Sequence, residues 1–163
     1  MKILHYQQHI LKLHTLWRIQ YFFVLLKKQI KEKYFSYEIE MSNEKPLVYS
    51  CSGCSSAAQM ANYLAVQLDR NGVAEMSCIV GVGGNVKRLV NTALSGRKVI
   101  TIDGCPLACT KACLRNHSLK ADTYFELTSM GVKKANHEDF DLVQANEILK
   151  IIQKKVRGLE LVA

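Results

Sequence analysis

The chain has 163 residues, 48% of them hydrophobic, and a formal net charge of +8. That length and apolar content suit one domain with an appendage and leave no case for two large domains. The charge is spread, with seven Lys/Arg against three Asp/Glu in residues 1–40 and fifteen against eleven thereafter. No dense basic patch interleaved with aromatics stands out, which argues against a nucleic-acid partner.

Residues 1–40 form an N-terminal extension with a basic start and an apolar run from Tyr21 to Leu26. The run is too short to span a bilayer, and no small-residue cleavage site precedes the next charges. Its composition allows an amphipathic helix, so peripheral contact of residues 1–40 with a membrane or partner is an open reading. The simpler reading takes Met41-Ser42-Asn43-Glu44-Lys45 as a natural start, with the domain at 41–163 and the extension outside the native product. His5, His9 and His14 read as polar surface rather than a metal site.

From Pro46 the pattern becomes regular. Leu47-Val48-Tyr49 predicts a short strand, Cys51 to Ser56 a turn, and Ala57 to Arg70 a helix. Ala57, Met60, Ala61, Leu64, Ala65 and Leu68 keep helical period, and Asn71-Gly72 supplies the stop. Met76 to Val82 predicts a second strand, with Gly83-Gly84-Asn85 turning into a helix over Val86 to Leu94. Gly81-Val82-Gly83-Gly84 matches a dinucleotide loop only in part, because Val86 stands where the third glycine belongs, and reads as a tight turn.

The β-branched run Val99 to Ile102 predicts the third strand, ended by Asp103-Gly104. Pro106 suits the first position of a helix running to about Asn116, placing Cys105 at or beside its N-cap. Tyr124 to Leu127 predicts a fourth strand and Asp141 to Arg157 a last helix. Strand and helix alternating four times predicts an α/β fold: a small open parallel sheet of four strands covered on both faces, flavodoxin-like or half-Rossmann, with the first strand near the middle. Ligands of such sheets bind at the carboxyl ends of the strands, near the topological switch point.

Six cysteines occupy the middle of the chain: Cys51, Cys54, Cys78, Cys105, Cys109 and Cys113. Embedded in strand-helix patterns, they read as reduced thiols, metal ligands or redox groups of a cytoplasmic protein, not a secreted disulfide scaffold. Cys51, Cys78 and Cys105 belong to three successive strands, so their thiols can converge at the sheet edge. On one helix Cys105 and Cys113 would be about 12 Å apart, whereas two sulfurs on one zinc lie within roughly 4 Å. Cys105 with Cys109 is therefore the natural pair, and Cys113 reads as core or a spare thiol. Asp103 reads as a turn or capping residue able to orient a ligand, and His117 as a residue closing the third helix.

IDGCPLAC after a strand, CSGCSS after an earlier one, SCIVGVGG between them and the later ELTSMGVKK together resemble the DGC-domain family. The resemblance covers about Pro46 to His137, continues through the last helix, and leaves out the first forty residues. It implies zinc binding through cysteines, with no firmly assigned activity. Position by position it implies Cys51, Cys78, Cys105 and Cys109 as metal ligands, while Cys54 and Cys113 are additional to the pattern and stand in reserve.

Three functions follow from these residues. A closed four-thiolate zinc site would fasten the sheet edge and leave no position for a substrate water. A thiol redox or thiol-nucleophile enzyme would use Cys51/Cys54, which have dithiol spacing, and Cys105 near a helix N-terminus. A phosphatase-like loop lacks its arginine between Cys51 and Ala58. An iron–sulfur cluster or a metal-handling site is the third. The protein or small molecule that such a site would meet has no signature of its own in the sequence.

Overall fold

The computed structural model describes residues 25–33 and 44–160. The chain divides into two compact units, Met1–Met41 and Ser42–Ala163. In the first, residues 25–33 are an exposed helix with a Lys28–Glu32 ion pair one turn apart at 4.0 Å. His5, His9, His14, most of the Tyr21–Leu26 run and Met41 lie outside the described residues. Among those described, no helix is long and apolar enough to cross a membrane.

The second unit is an α/β sandwich around a four-stranded, all-parallel sheet of order β2-β1-β3-β4. β1 (Leu47–Ser50) and β3 (Val99–Asp103) form its centre and are buried throughout. Their mostly apolar character, interrupted by the buried Ser50, Thr101 and Asp103, follows from cover on both faces. β2 (Glu75–Met76) and β4 (Thr123–Glu126) are the edges. Strand alternation sorts the side chains. Val48, Ile100, Ile102 and Phe125 pack under α1 (Ser56–Arg70) and α5 (Leu142–Glu160). Leu47, Tyr49 and Val99 pack under α2 (Ile79–Gly83), α3 (Lys87–Ala93) and α4 (Cys109–Arg115).

α1 forms where its apolar period predicts. The Ser55 hydroxyl caps it by accepting from the Ala58 amide at 3.4 Å, and Gly72 at φ 68° ends it. Asp141 caps α5 in the same way, its carboxylate accepting from the Val143 amide at 2.7 Å.

Two expectations are corrected. The second strand is not Met76 to Val82 but ends at Met76, and Ile79 opens a short helix. Ile79 and Val82 are buried while Val80 is 69% exposed, a helical spacing that alternation would forbid. The two glycines in the run serve close helix contacts. A Cβ on Gly81 would lie 2.0 Å from Leu89, and one on Gly83 would lie 2.9 Å from the Cys113 sulfur.

The third helix does not begin at Pro106. Residues 105–108 form a turn, closed by the Ala108 amide donating to the Cys105 carbonyl at 3.1 Å, and Cys109 is the first helical residue. Ala108 takes φ 51° to make the turn. The cause is Asp103, whose buried carboxylate accepts from the Thr110 amide at 2.9 Å and the Lys111 amide at 3.4 Å. That cap draws α4 back over the end of β3, so Cys105 shares no helical face with Cys109 and Cys113.

Candidate functional site at the carboxyl edge of the sheet

The sheet order reverses between β1 and β3, since the chain leaves β1 for β2 on one side and returns to β3 on the other. This crevice is where open parallel sheets place their ligands. Cys51 follows β1 directly, and Asp103-Gly104-Cys105 closes β3.

Each residue of that triplet has a separate task. Asp103 caps α4, as above. Gly104 passes so close to the first turn of α1 that a Cβ would lie 2.7 Å from the Ala57 carbonyl carbon and oxygen and 2.8 Å from the Ala58 nitrogen. Only glycine fits there. Its amide donates to the Cys51 sulfur at 3.0 Å, while the Cys51 amide donates to the Ile102 carbonyl at 3.0 Å. Cys105 presents a half-buried thiol at the mouth of the crevice, and the Lys134 ammonium donates to it at 3.4 Å.

Cys51 is 7% exposed, and burial pushes its thiol up to about 11. The Gly104 amide pulls the other way, and negative charge on Asp103, Cys109 and Cys105 adds to the rise. Cys51 is thus a protonated thiol at neutral pH. On β4, Tyr124 borders the same group: burial first, then Asp103, Glu126, Cys105 and Cys51, push its phenol up to about 12. The Lys111 ammonium lies 4.0 Å from the centre of its ring.

A strap of residues 133–136 crosses the mouth. The Ser56 hydroxyl donates to the Lys133 carbonyl at 3.1 Å and accepts from the Ala135 amide at 3.0 Å. The Ser56 amide donates to the Ala135 carbonyl at 2.9 Å, and Ser55 pairs with Asn136 as an antiparallel bridge.

Asp103, Cys109 and Cys105 therefore lie within electrostatic reach of Cys51. Cys78 lies two residues past β2, exposed, directly before α2 and within electrostatic reach of Tyr49. Cys54 is exposed in the turn before α1. Cys113 rests half-buried against Gly83, its thiol raised by burial and by the charges of Cys109 and Asp103. His117 is pinned to α2 through Nε2 and the Val82 carbonyl at 2.9 Å. Among the described residues, no three His, Cys, Asp or Glu side chains are gathered closely enough to hold one metal ion. The thiols suit zinc in kind, but as placed they do not close around it.

Lys134, Tyr124, Lys111 and Ser56 were not among the candidates from sequence. Lys134 had a signal, since it ends the ELTSMGVKK motif. The others sit on the site only because β4, α4 and α1 border it.

The sequence model of the DGC domain matches residues 47–153. The anaerobic and virulence modulator AnvM of Pseudomonas aeruginosa is 48% identical over 109 residues, which cover 67% of this chain and 83% of that protein. No solved structure gives a significant match.

Proposed function

The chain belongs to the DGC-domain family, and on that footing we propose that it binds zinc at the carboxyl edge of its sheet through Cys51, Cys105 and Cys109, with Cys78 as fourth ligand and Cys54 and Cys113 in reserve. The observation that supports this reading is that Cys51 directly follows β1, Cys105 follows the end of β3 and Cys109 opens α4, on either side of the switch point, and none of the three has a disulfide partner. Zinc there would hold thiolates and tie the ends of successive strands together. With four thiolates the site is closed, and the metal's part is structural or regulatory rather than catalytic. Because Cys51 carries its proton at neutral pH, metal uptake releases that proton and strengthens as pH rises. Six unpaired thiols accord with a cytoplasmic setting, which belongs to this proposal. The Pseudomonas relative is named as a modulator, and a regulatory role for a closed metal site agrees with that.

A second reading, a thiol-exchange module, is favoured by the Lys134 ammonium on the Cys105 sulfur. Cys105 would attack a disulfide co-substrate, forming one S–S bond as another breaks, and the departing thiolate takes up the proton.

Metal analysis of the full chain purified without oxygen tests both. Colourless zinc at about one per chain, lost in Cys105→Ser, supports the first reading. A brown chromophore replaces zinc with an iron–sulfur cluster. Metal-free protein that exchanges with a disulfide reagent at Cys105 favours the second.

A further inference from the structure

Two stretches far apart in sequence are docked on the same turn of α1. Gly104 passes so close to Ala57 and Ala58 that only a residue without a side chain fits, which fixes the backbone leading into Cys105. Ser56 bonds the Lys133 carbonyl and the Ala135 amide through its hydroxyl, and the Ala135 carbonyl through its own amide. Those bonds fix the backbone on either side of Lys134. From the two anchors the side chains meet, and the Lys134 nitrogen lies 3.4 Å from the Cys105 sulfur. That separation falls in the roughly 3–3.5 Å of a near-attack pair, and the shared turn holds the partners together. Cys105 is half-buried at the mouth of the crevice, where a small dissolved oxidant reaches it. Cys51 is differently placed, at 7% exposure and with its sulfur on the Gly104 amide. Oxidation of an isolated thiol runs to sulfenic and then sulfinic acid. An amine in contact with the sulfur offers a different end.

We propose that Cys105 and Lys134 are a redox-modification site, joined under dioxygen by a covalent S–O–N bridge that ties the strap to the end of β3 and is opened by thiol reductants. Counted on the thiol and the amine, the S–H bond, one N–H bond and the O–O bond break, and S–O and O–N bonds form. The two protons leave with the second oxygen atom as water. Sulfur and nitrogen each give up two electrons and dioxygen takes four, which two dithiols return when the bridge is reduced. The bridge fastens residues 133–136 across the crevice and takes the Cys105 sulfur out of any other chemistry, so it works as an oxidative off-switch for this edge. It draws only on groups of this chain and the oxidant, and stands apart from both readings above.

The test is intact and tryptic mass analysis of the full chain purified without oxygen, then either kept so or held in air-saturated buffer. The exposed protein should gain the mass of one oxygen and lose that of two hydrogens, and dithiothreitol should reverse the change. Trypsin should fail to cut after Lys134, and the peptide holding that lysine should be joined to the peptide of residues 99–111. Both Cys105 and Cys109 lie in the latter, so the bridge should persist in Cys109→Ser and vanish in Cys105→Ser. Lys134→Arg keeps the charge without a primary amine and should abolish the bridge. A disulfide or a whole-oxygen gain at Cys105 in its place, a bridge that survives Lys134→Arg, or an unchanged mass would each overturn the proposal.

Discussion

The amide of Gly104 donates a 3.0 Å hydrogen bond to the sulfur of Cys51, joining the ends of the two central strands across the switch point. The bond requires the β3 end to lie against α1, and that approach requires a residue without a side chain. One contact thus couples a backbone constraint to the state of a buried thiol.

Gly104→Ala should be among the most disruptive single substitutions at this edge. Its methyl group meets backbone atoms of Ala57 and Ala58, which cannot move aside as a flexible side chain could. The expected loss is about 1–3 kcal/mol of stability, read from the denaturant midpoint. Unchanged stability would mean that the β3 end can move away from α1 freely.

Cys51 predicts a pH dependence of defined sign. Its folded thiol titrates at about 11 against an ordinary value of 9.0, so the folded state binds the proton more tightly than the unfolded chain. Its contribution is fully present below pH 9 and is lost as pH rises toward 11, by up to about 2 kcal/mol. Tyr124 and Cys113 act in the same direction, so the measurement is the difference between the unsubstituted chain and Cys51→Ala. Parallel stability curves from pH 8 to 11 would contradict the assignment.

Arg97 offers a control at the opposite edge of the sheet. It is only 11% exposed in its side chain, donates to the Lys45 carbonyl at 2.8 Å and to Glu75 at 2.7 Å, and faces Glu44 at 3.4 Å. It ties the segment before β1 to β2 from the segment that leads into β3. Arg97→Ala should lower stability by about 1–3 kcal/mol, since the Lys45 carbonyl loses a charged donor. Reactivity of the Cys105 thiol toward an alkylating reagent should stay unchanged, because Arg97 touches none of the carboxyl-edge residues.

The parallel sheet was legible because β1 and β3 are buried on both faces and so read as short, mostly apolar runs without alternation, and α1 because six apolar residues keep one period. The stretch 76–83 misled because Ile79, Val80 and Val82 favour strands locally. What overrides that preference is the helix packing that Gly81 and Gly83 permit, and sequence spacing does not display it. The start of α4 was hidden for a related reason. Pro106 is a good first helical residue in isolation, whereas the Asp103 cap exists only once the chain has folded back. Cys51 and Cys105 could be placed at the crevice from their positions after strands. The strap could not, since its bonds to Ser56 span nearly eighty residues.

Asp103 is the residue on which these features meet, and its removal separates them. It is 1% exposed, accepts from two amides of α4, and stands among the negative neighbours of Cys51, Cys113 and Tyr124. Asp103→Ala leaves the Thr110 and Lys111 amides without that acceptor, and a lost helix cap costs about 1–2 kcal/mol. Asp103→Asn keeps an acceptor oxygen and should cost less. Both changes remove the carboxylate charge, so the Cys51 thiol should titrate lower in each. A thiol midpoint that falls equally in the two variants, with stability lost mainly in Asp103→Ala, would separate the charge from the cap. A midpoint that does not move in Asp103→Asn would mean that burial and the neighbouring thiols set it without the carboxylate.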